Sequence, residues 1–199
     1  PTELSPTESS PVESFPGEPT QKASGEEKGK DKNGLPDMTP QPEPGSFEFT
    51  AIGDSVMLSA YPKLKETFPD SWIDAAESRQ VRDSLEIAEA LDSQDRLKNI
   101  VIIALGTNGA FHKPTGQELL NYLGTQRTVY WVTAYGKSLQ WQDNVNSEIR
   151  DLANENPNLH IIDWAGIASE HPEWFRDDGV HLKSEGEAEY VNFIRENLS

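Results

Sequence analysis

The chain contains no cysteine, which excludes disulfide bonds, thiolate catalysis and Cys-ligated zinc. Its four histidines include no pair four residues apart beside an acidic residue, so no helical zinc site is predicted. Both glycine-rich phosphate-binding motifs, G-x-G-x-x-G and G-x-x-x-x-G-K-[ST], are missing as well. We therefore expect neither a metal nor a cofactor.

Basic residues and long apolar runs are also scarce. The 17 Lys and Arg against 34 Asp and Glu give a net charge of −17, which argues against nucleic acid or an anionic bilayer as a partner. No apolar run approaches the roughly 18 residues that span a bilayer, and no signal peptide opens the chain. Because the chain begins inside a polar stretch, we expect it to be a fragment of a longer protein.

The distribution of proline divides the chain into two regions. Residues 1–46 hold nine of the 14 prolines and a single aromatic residue, Phe15. Without apolar periodicity, this segment cannot bury enough surface to offset the entropy of ordering. It is predicted to be a disordered, Pro-rich linker, and residues 47–199 are predicted to form one domain with a full core.

Strands and helices alternate along the predicted domain. The run Ile100–Ala104 is continuously apolar, as expected of a central parallel strand covered on both faces. Ser184 and Glu187 have the spacing of a capping box at the start of the last helix. The predicted strands are Phe47–Ile52, Trp72–Asp74, Asn99–Ala104, Val129–Thr133 and His160–Asp163, and the predicted helices are Val56–Thr67, Val81–Asp92, Gln117–Leu123, Gln140–Asn156 and Ser184–Asn197. This alternation predicts an α/β fold with five parallel strands in the order 2-1-3-4-5.

Three polar motifs fall where such a sheet places its functional sites, outside the carboxyl ends of the strands. Gly53-Asp54-Ser55 ends the first strand and opens a helix, Leu105-Gly106-Thr107-Asn108-Gly109 follows the third strand, and Asp178-Gly179-Val180-His181 precedes the last helix. An Asp three residues before a His can orient its ring, and a helix N-terminus favours developing negative charge. Since Ser, His and Asp are the parts of an activated nucleophile, the sequence predicts a serine-dependent acyl-transfer enzyme.

Several of these residues also have simpler structural interpretations. Ser55 is a good N-cap, unless Asp54 caps the helix and leaves the Ser55 hydroxyl free. Asn108 is either a turn former between glycines or an amide donor to an oxyanion. No G-x-S-x-G elbow occurs, which argues against an α/β-hydrolase. The remaining histidines are interpreted as structural or exposed: His112, His160 and His171.

In their order and spacing, the three motifs resemble blocks I, III and V of the SGNH (GDSL-type) hydrolases. The resemblance covers residues 47–199 and implies a three-layer α/β/α sandwich with a five-stranded parallel, flavodoxin-like sheet. It implies Ser55 as the nucleophile, His181 as the base and Asp178 as the residue that orients it. Asn108 and the backbone N–H of Ser55 would then hold the oxyanion.

The second block of that family usually has a glycine whose N–H completes the oxyanion hole. Here the stretch from Asp74 to Gln80 has Ser78 at the expected position. Serine also has an N–H, so Ser78 can donate if its φ is negative. A positive φ would strain it.

Further residues resemble a narrower group, the surface-exposed C-terminal domains of Gram-positive peptidoglycan O-acetyltransferases. They are Ile52-Gly53-Asp54-Ser55-Val56-Met57, Asp74-Ala75-Ala76, Leu105-Gly106-Thr107-Asn108-Gly109, Trp174-Phe175 and Asp178-Gly179-Val180-His181-Leu182. The resemblance implies acetyl transfer, through an acetyl-serine, to the C-6 hydroxyl of N-acetylmuramoyl residues in peptidoglycan glycan strands. It also implies an N-terminal membrane acyltransferase portion, absent from this chain, that tethers the domain on the extracellular, wall side. Residues 1–46 fit the connecting linker.

Two other functions fit the same motifs. An SGNH esterase that removes acetyl groups from wall glycans would have the same blocks, since access to the acetyl-serine decides between water and sugar. A non-catalytic module would instead use exposed aromatic side chains to stack on sugars. The candidates are Trp131, Tyr135, Trp141, Trp174 and Phe175, of which Trp131 has the strand position of a core residue.

Overall fold

The computed structural model describes residues 47–198, so the predicted linker lies outside the described residues. Five strands form one parallel sheet in the order β2-β1-β3-β4-β5, as predicted. They are β1 (Phe49–Gly53), β2 (Trp72–Ala75), β3 (Ile100–Ala104), β4 (Thr128–Val132) and β5 (Leu159–Ile162). The last residue of β1, Gly53, pairs with Ala75 of β2 and Ala104 of β3, so the chain leaves β1 where the strand order switches.

Helices cover both faces of this sheet, which confirms the predicted three-layer sandwich. One face packs against α1 (Ser55–Thr67), α5 (Trp164–Ala168) and α6 (Ser184–Asn197). The other packs against α2 (Ser84–Asp92), α3 (Lys113–Leu123) and α4 (Gln142–Glu155).

The apolar run in β3 divides between these two layers. Ile102 belongs to the core on the α1 and α6 side, and Ile103 belongs to the core on the α2, α3 and α4 side. Both side chains are fully buried. Since successive strand residues point to opposite faces, a strand covered on both sides needs apolar residues at every position.

Two local predictions differ from the structure. The prediction of a capping box at the start of α6 is wrong. Lys183 is the N-cap, and no side chain caps the helix. Lys63 of α1 engages both residues of the predicted box instead, with its Nζ 3.1 Å from Ser184 Oγ and 2.9 Å from a Glu187 carboxylate oxygen. A contact between helices has therefore replaced the local one. The five-residue helix α5 was not predicted, because one turn is too short to show a helical period.

Candidate active site

The turn after β1 is built around Asp54. The side chain of Asp54 caps α1, accepting a hydrogen bond from the Val56 N–H at 3.0 Å. Ser55 is the first residue of the helix, and its hydroxyl is not used as a cap. Of the two interpretations of this motif, the structure therefore supports the cap at Asp54. A Cβ at Gly53 would lie 2.6 Å from Met57 Cβ, so only glycine lets the strand end this close to the helix.

The turn before α6 brings the other motif to the same edge. Nε2 of His181 lies 3.0 Å from Ser55 Oγ, and Nδ1 of the same ring lies 2.9 Å from Oδ2 of Asp178. An Nδ1–H that donates to Asp178 leaves Nε2 as the acceptor for the Ser55 hydroxyl. The three side chains thus form a continuous hydrogen-bonded line across 126 residues of sequence.

Asp178 is held as a carboxylate by its own turn. Its Oδ1 accepts hydrogen bonds from the backbone N–H groups of Val180 and His181, both at 2.8 Å. Desolvation raises the pKa of Asp178, but these two N–H groups and the His181 ring outweigh it and lower the pKa to about 2. Asp177, its neighbour in sequence, makes no hydrogen bond or ion pair with a residue among 47–198.

Asp54 also links the nucleophile turn to the loop after β3. Its second carboxylate oxygen accepts a hydrogen bond from the Thr107 hydroxyl, and the Asp54 N–H donates to Ala104 O at 3.1 Å. Burial raises the pKa of Asp54, and the hydrogen bonds from Thr107 and Val56 oppose that rise. Sequence reasoning missed this link, although a Thr beside the Asn of the third motif was a visible signal.

Asn108 lies in this loop, half-buried, and faces the second block. Its Nδ2 donates a hydrogen bond to Arg79 O at 3.2 Å, which orients the amide and leaves one of its two N–H groups for another acceptor. Trp141 fixes the loop from the other side, its Nε1 donating to Gly106 O at 3.1 Å. The role of Trp141 in positioning was not anticipated from the sequence.

The second block is a tight turn in which Ser78 has a φ of 61°. Of the two conformations considered, this is the strained one for a residue with a Cβ. Arg79 anchors the turn beneath the sheet edge: its guanidinium donates to Gly53 O at 3.1 Å and pairs with the Asp74 carboxylate at 2.6 Å. This anchor could not be predicted from the sequence, because Arg79 reaches its partners only through the parallel pairing of β1 and β2.

Two open pockets flank the line of Ser55 and His181. One, of about 380 Å³, is lined by Ser55, Leu58, Glu77 and Arg176 as well as His181. The other, of about 360 Å³, is lined by Asn108, Leu139, Trp141, Asp178 and other residues of the same loops, including His181. The His181 side chain is 38% exposed, so molecules can approach the pair from either side.

The aromatic candidates for stacking on sugars divide by burial. Trp131, Trp174 and Phe175 are buried at 0%, 7% and 3% exposure and belong to the core. Tyr135 and Trp141 are half-buried and line pockets. The other histidines lie away from the Ser55–His181 pair: His112 is exposed, His160 lies beside Tyr130, and His171 stacks on Trp174.

Residues 47–198 contain no group of three or more His, Asp or Glu side chains arranged to hold a metal ion. Within the same range, no helix combines the length and the apolar character needed to cross a membrane.

No family model matches the chain, but its sequence is similar to those of known peptidoglycan O-acetyltransferases. YrhL of Bacillus subtilis is 35% identical over 170 residues, covering 85% of this chain and 26% of that protein. The peptidoglycan O-acetyltransferase OatA of Listeria monocytogenes is 37% identical over 144 residues, covering 72% of this chain and 23% of that protein. The chain thus spans about a quarter of the length of these relatives.

The fold is similar to that of a solved peptidoglycan O-acetyltransferase domain and to that of a lipolytic protein. The C-terminal catalytic domain of Streptococcus pneumoniae OatA, solved with a methylsulfonyl adduct, has a TM-score of 0.67 at 28% identity, covering 75% of this chain and 90% of that one. A G-D-S-L lipolytic protein from Veillonella parvula shares the fold alone, with a TM-score of 0.61 at 14% identity over 76% of this chain and 97% of that one. The described domain therefore has the SGNH hydrolase fold and is a homologue of the C-terminal domains of the OatA-type peptidoglycan O-acetyltransferases.

Proposed function

We propose that this domain transfers acetyl groups to the C-6 hydroxyl of N-acetylmuramoyl residues in peptidoglycan, through an acetyl-Ser55 intermediate. The observation that carries the proposal is the hydrogen-bonded line from Asp178 through His181 to Ser55 at the carboxyl edge of the sheet. The similarity to OatA proteins supports the substrate class and the O-acetyltransferase chemistry. By the same similarity, the domain works on the extracellular, wall side, attached to a membrane acyltransferase portion.

In the first step, Ser55 Oγ attacks the carbonyl carbon of an acetyl donor while its proton passes to His181 Nε2. The resulting oxyanion is held by the free N–H of the Asn108 amide and by the backbone N–H of Ser55, while the positive φ of Ser78 does not meet the condition under which its N–H was expected to contribute. When the intermediate collapses, His181 returns the proton to the leaving alcohol and the acetyl group stays on Ser55. Asp178 keeps the ring in the required tautomer and stabilises its charge.

In the second step, the sugar hydroxyl attacks the acetyl carbon and gives its proton to His181. Collapse of the second oxyanion breaks the bond to Ser55, and the proton returns to the Ser55 oxygen. Pockets on both sides of His181 give the donor and the acceptor separate approaches to the same atom.

A carbohydrate esterase remains a second candidate because one observation favours it. The His181 side chain is more than a third exposed, so water can also reach an acetyl group on Ser55. A non-catalytic glycan-binding module is less well supported, because three of its five aromatic candidates are buried.

The decisive experiment measures ester turnover and transfer together. An activated acetyl ester is supplied with and without muramoyl-containing glycan oligomers, and mass spectrometry follows oligomers heavier by one acetyl group. We expect slow hydrolysis alone, faster total turnover with the oligomers, and acetylated product. If the oligomers leave the rate unchanged and stay unmodified, the esterase replaces the transferase.

The same assay tests the assigned residues. Ser55→Ala and His181→Ala should each lower turnover by about 10⁴-fold or more, and the double variant should be barely worse because the residues act as a unit. Ester turnover at the native rate in folded Ser55→Ala would reject the mechanism.

A further inference from the structure

About half of the basic residues in the domain are paired with carboxylates, and three of the unpaired ones lie together. Residues 47–198 contain 13 Lys and Arg, and seven of them lie within 4 Å of a carboxylate. Of the other six, three line a single pocket of about 230 Å³: Lys137, Arg176 and Lys183. Asp177 is the acidic residue that lines it, so the pocket has an excess of two positive charges. Residues 51–199 as a whole carry a net charge of −11.

This cationic pocket is fixed to the turn that holds His181. The Arg176 N–H donates to His181 O at 2.8 Å and its Nε donates to Leu182 O at 3.0 Å. On the other side, the Lys137 N–H donates to Gly179 O at 3.0 Å. Arg176 also lines the pocket that contains Ser55, so the cationic pocket and the pocket at the nucleophile share this side chain.

The three cationic groups are available to an anion. Lys137 Nζ makes no hydrogen bond within residues 47–198, and Lys183 Nζ approaches only a backbone oxygen, Glu173 O, at 3.3 Å. The nearby Glu173 carboxylate is engaged by His171 Nδ1 at 2.8 Å. The buried ring of Phe175 also lines this pocket, and an ion pair is stronger beside such an apolar surface than in open water.

We propose that this pocket binds a carboxylate of the glycan acceptor, placing the sugar for attack on the acetyl group at Ser55. The inference rests on the proposed function for its choice of anion. A muramoyl residue carries a lactyl group that ends in a carboxylate or in a peptide with carboxylates. A planar guanidinium beside two ammonium groups suits such a ligand.

The test measures binding rather than turnover, so that it does not depend on the reaction. Calorimetry with the Ser55→Ala variant compares a muramoyl-dipeptide disaccharide with the same compound after its carboxylates are converted to amides. We expect the acid to bind about tenfold more tightly, a preference that falls as salt rises. Lys137→Gln and Lys183→Gln should each reduce the preference about three- to fivefold. Equal affinity for the acid and the amide would overturn the proposal.

Arg195→Gln is the matched control, since it removes the same charge from an exposed, unpaired residue that lies twelve positions after Lys183, about 18 Å further along α6. It should leave the preference for the acid intact, and a loss equal to that of Lys137→Gln would reduce the proposal to an effect of overall charge and overturn it. Glycerol phosphate serves as a second probe: tighter binding than the carboxylate fragment, lost in Lys137→Gln, would assign the pocket to phosphate instead. Absence of transfer to muramoyl-containing glycan oligomers would reject the proposed function without affecting this binding result.

Discussion

Two aspartates lie on either side of the Ser55–His181 pair, and their environments are opposite. Asp54 is 2% exposed, caps a helix and has a raised pKa because burial penalises its charge. Asp178 has a side chain that is 49% exposed, and backbone donors lower its pKa to about 2. Proximity to the histidine therefore does not decide the direction in which the pKa of a carboxyl group shifts. The balance between burial and hydrogen-bond donors decides it.

Removing the charge of the exposed aspartate should have the larger effect on rate. In Asp178→Asn, an amide N–H facing Nδ1 would force the ring into the tautomer that cannot accept the Ser55 proton. We expect turnover of an activated ester to fall by about 10⁴-fold. Asp177→Asn is the control and should stay within about twofold of wild type. Equal losses in the two variants would show that the turn, and not the Asp178 contact, was disturbed.

The buried aspartate is expected to act through position. Thr107→Val removes the hydroxyl that joins Asp54 to the Asn108 loop and leaves a buried carboxyl oxygen without that donor. We expect a stability loss of about 1–3 kcal/mol and a roughly tenfold fall in kcat, since oxyanion donors act only when precisely placed. Thr107→Ser keeps the hydroxyl and should restore both. A kcat in Thr107→Val equal to that of wild type would separate this link from catalysis.

The two aspartates should also change stability with pH in opposite directions. The lowered pKa of Asp178 adds stability above pH 3.8, which is lost as the pH falls toward about 2. The raised pKa of Asp54 means that the folded state binds that proton more tightly, so its contribution falls as the pH rises above 3.8. Urea unfolding between pH 2 and 7 should therefore show that Asp54→Asn and Asp178→Asn change the dependence of the unfolding free energy on pH with opposite signs. Slopes that change in the same direction would contradict these assignments.

The smallest effect is expected at Ser78, outside both aspartate turns. Ser78→Gly keeps the backbone N–H and removes the Cβ that a φ of 61° strains. The relief of about 1–2 kcal/mol is partly offset by the 0.5–1 kcal/mol entropy cost of glycine, a net gain of roughly 0.5 kcal/mol. Turnover should stay near wild type. A large rate loss in this variant would mean that the hydroxyl itself takes part.

The sequence predicted the features that depend on local pattern. The alternation of strands and helices predicted the parallel sheet, and the usual order of five such strands predicted the order that the structure has. The Asp three residues before His181 gave their contact, because one turn is enough to join them. The positions of the motifs at the ends of strands predicted that Ser55 and Asn108 would lie at the same edge, and the resemblance to the SGNH hydrolases supplied their expected roles.

Contacts between distant segments could be decided only by the tertiary structure. Whether Asp54 or Ser55 caps α1 is decided by the contacts of Asp54 with Val56 and Thr107, which leave the Ser55 hydroxyl free of the cap. Instead of forming the predicted capping box, the Ser184 hydroxyl accepts a hydrogen bond from Lys63, which lies 121 residues away in sequence. The cationic pocket likewise joins Lys137 to Arg176 and Lys183 across a turn. Local patterns determine which elements form, but the energy of a polar side chain depends on its partners and on burial, and packing alone sets these.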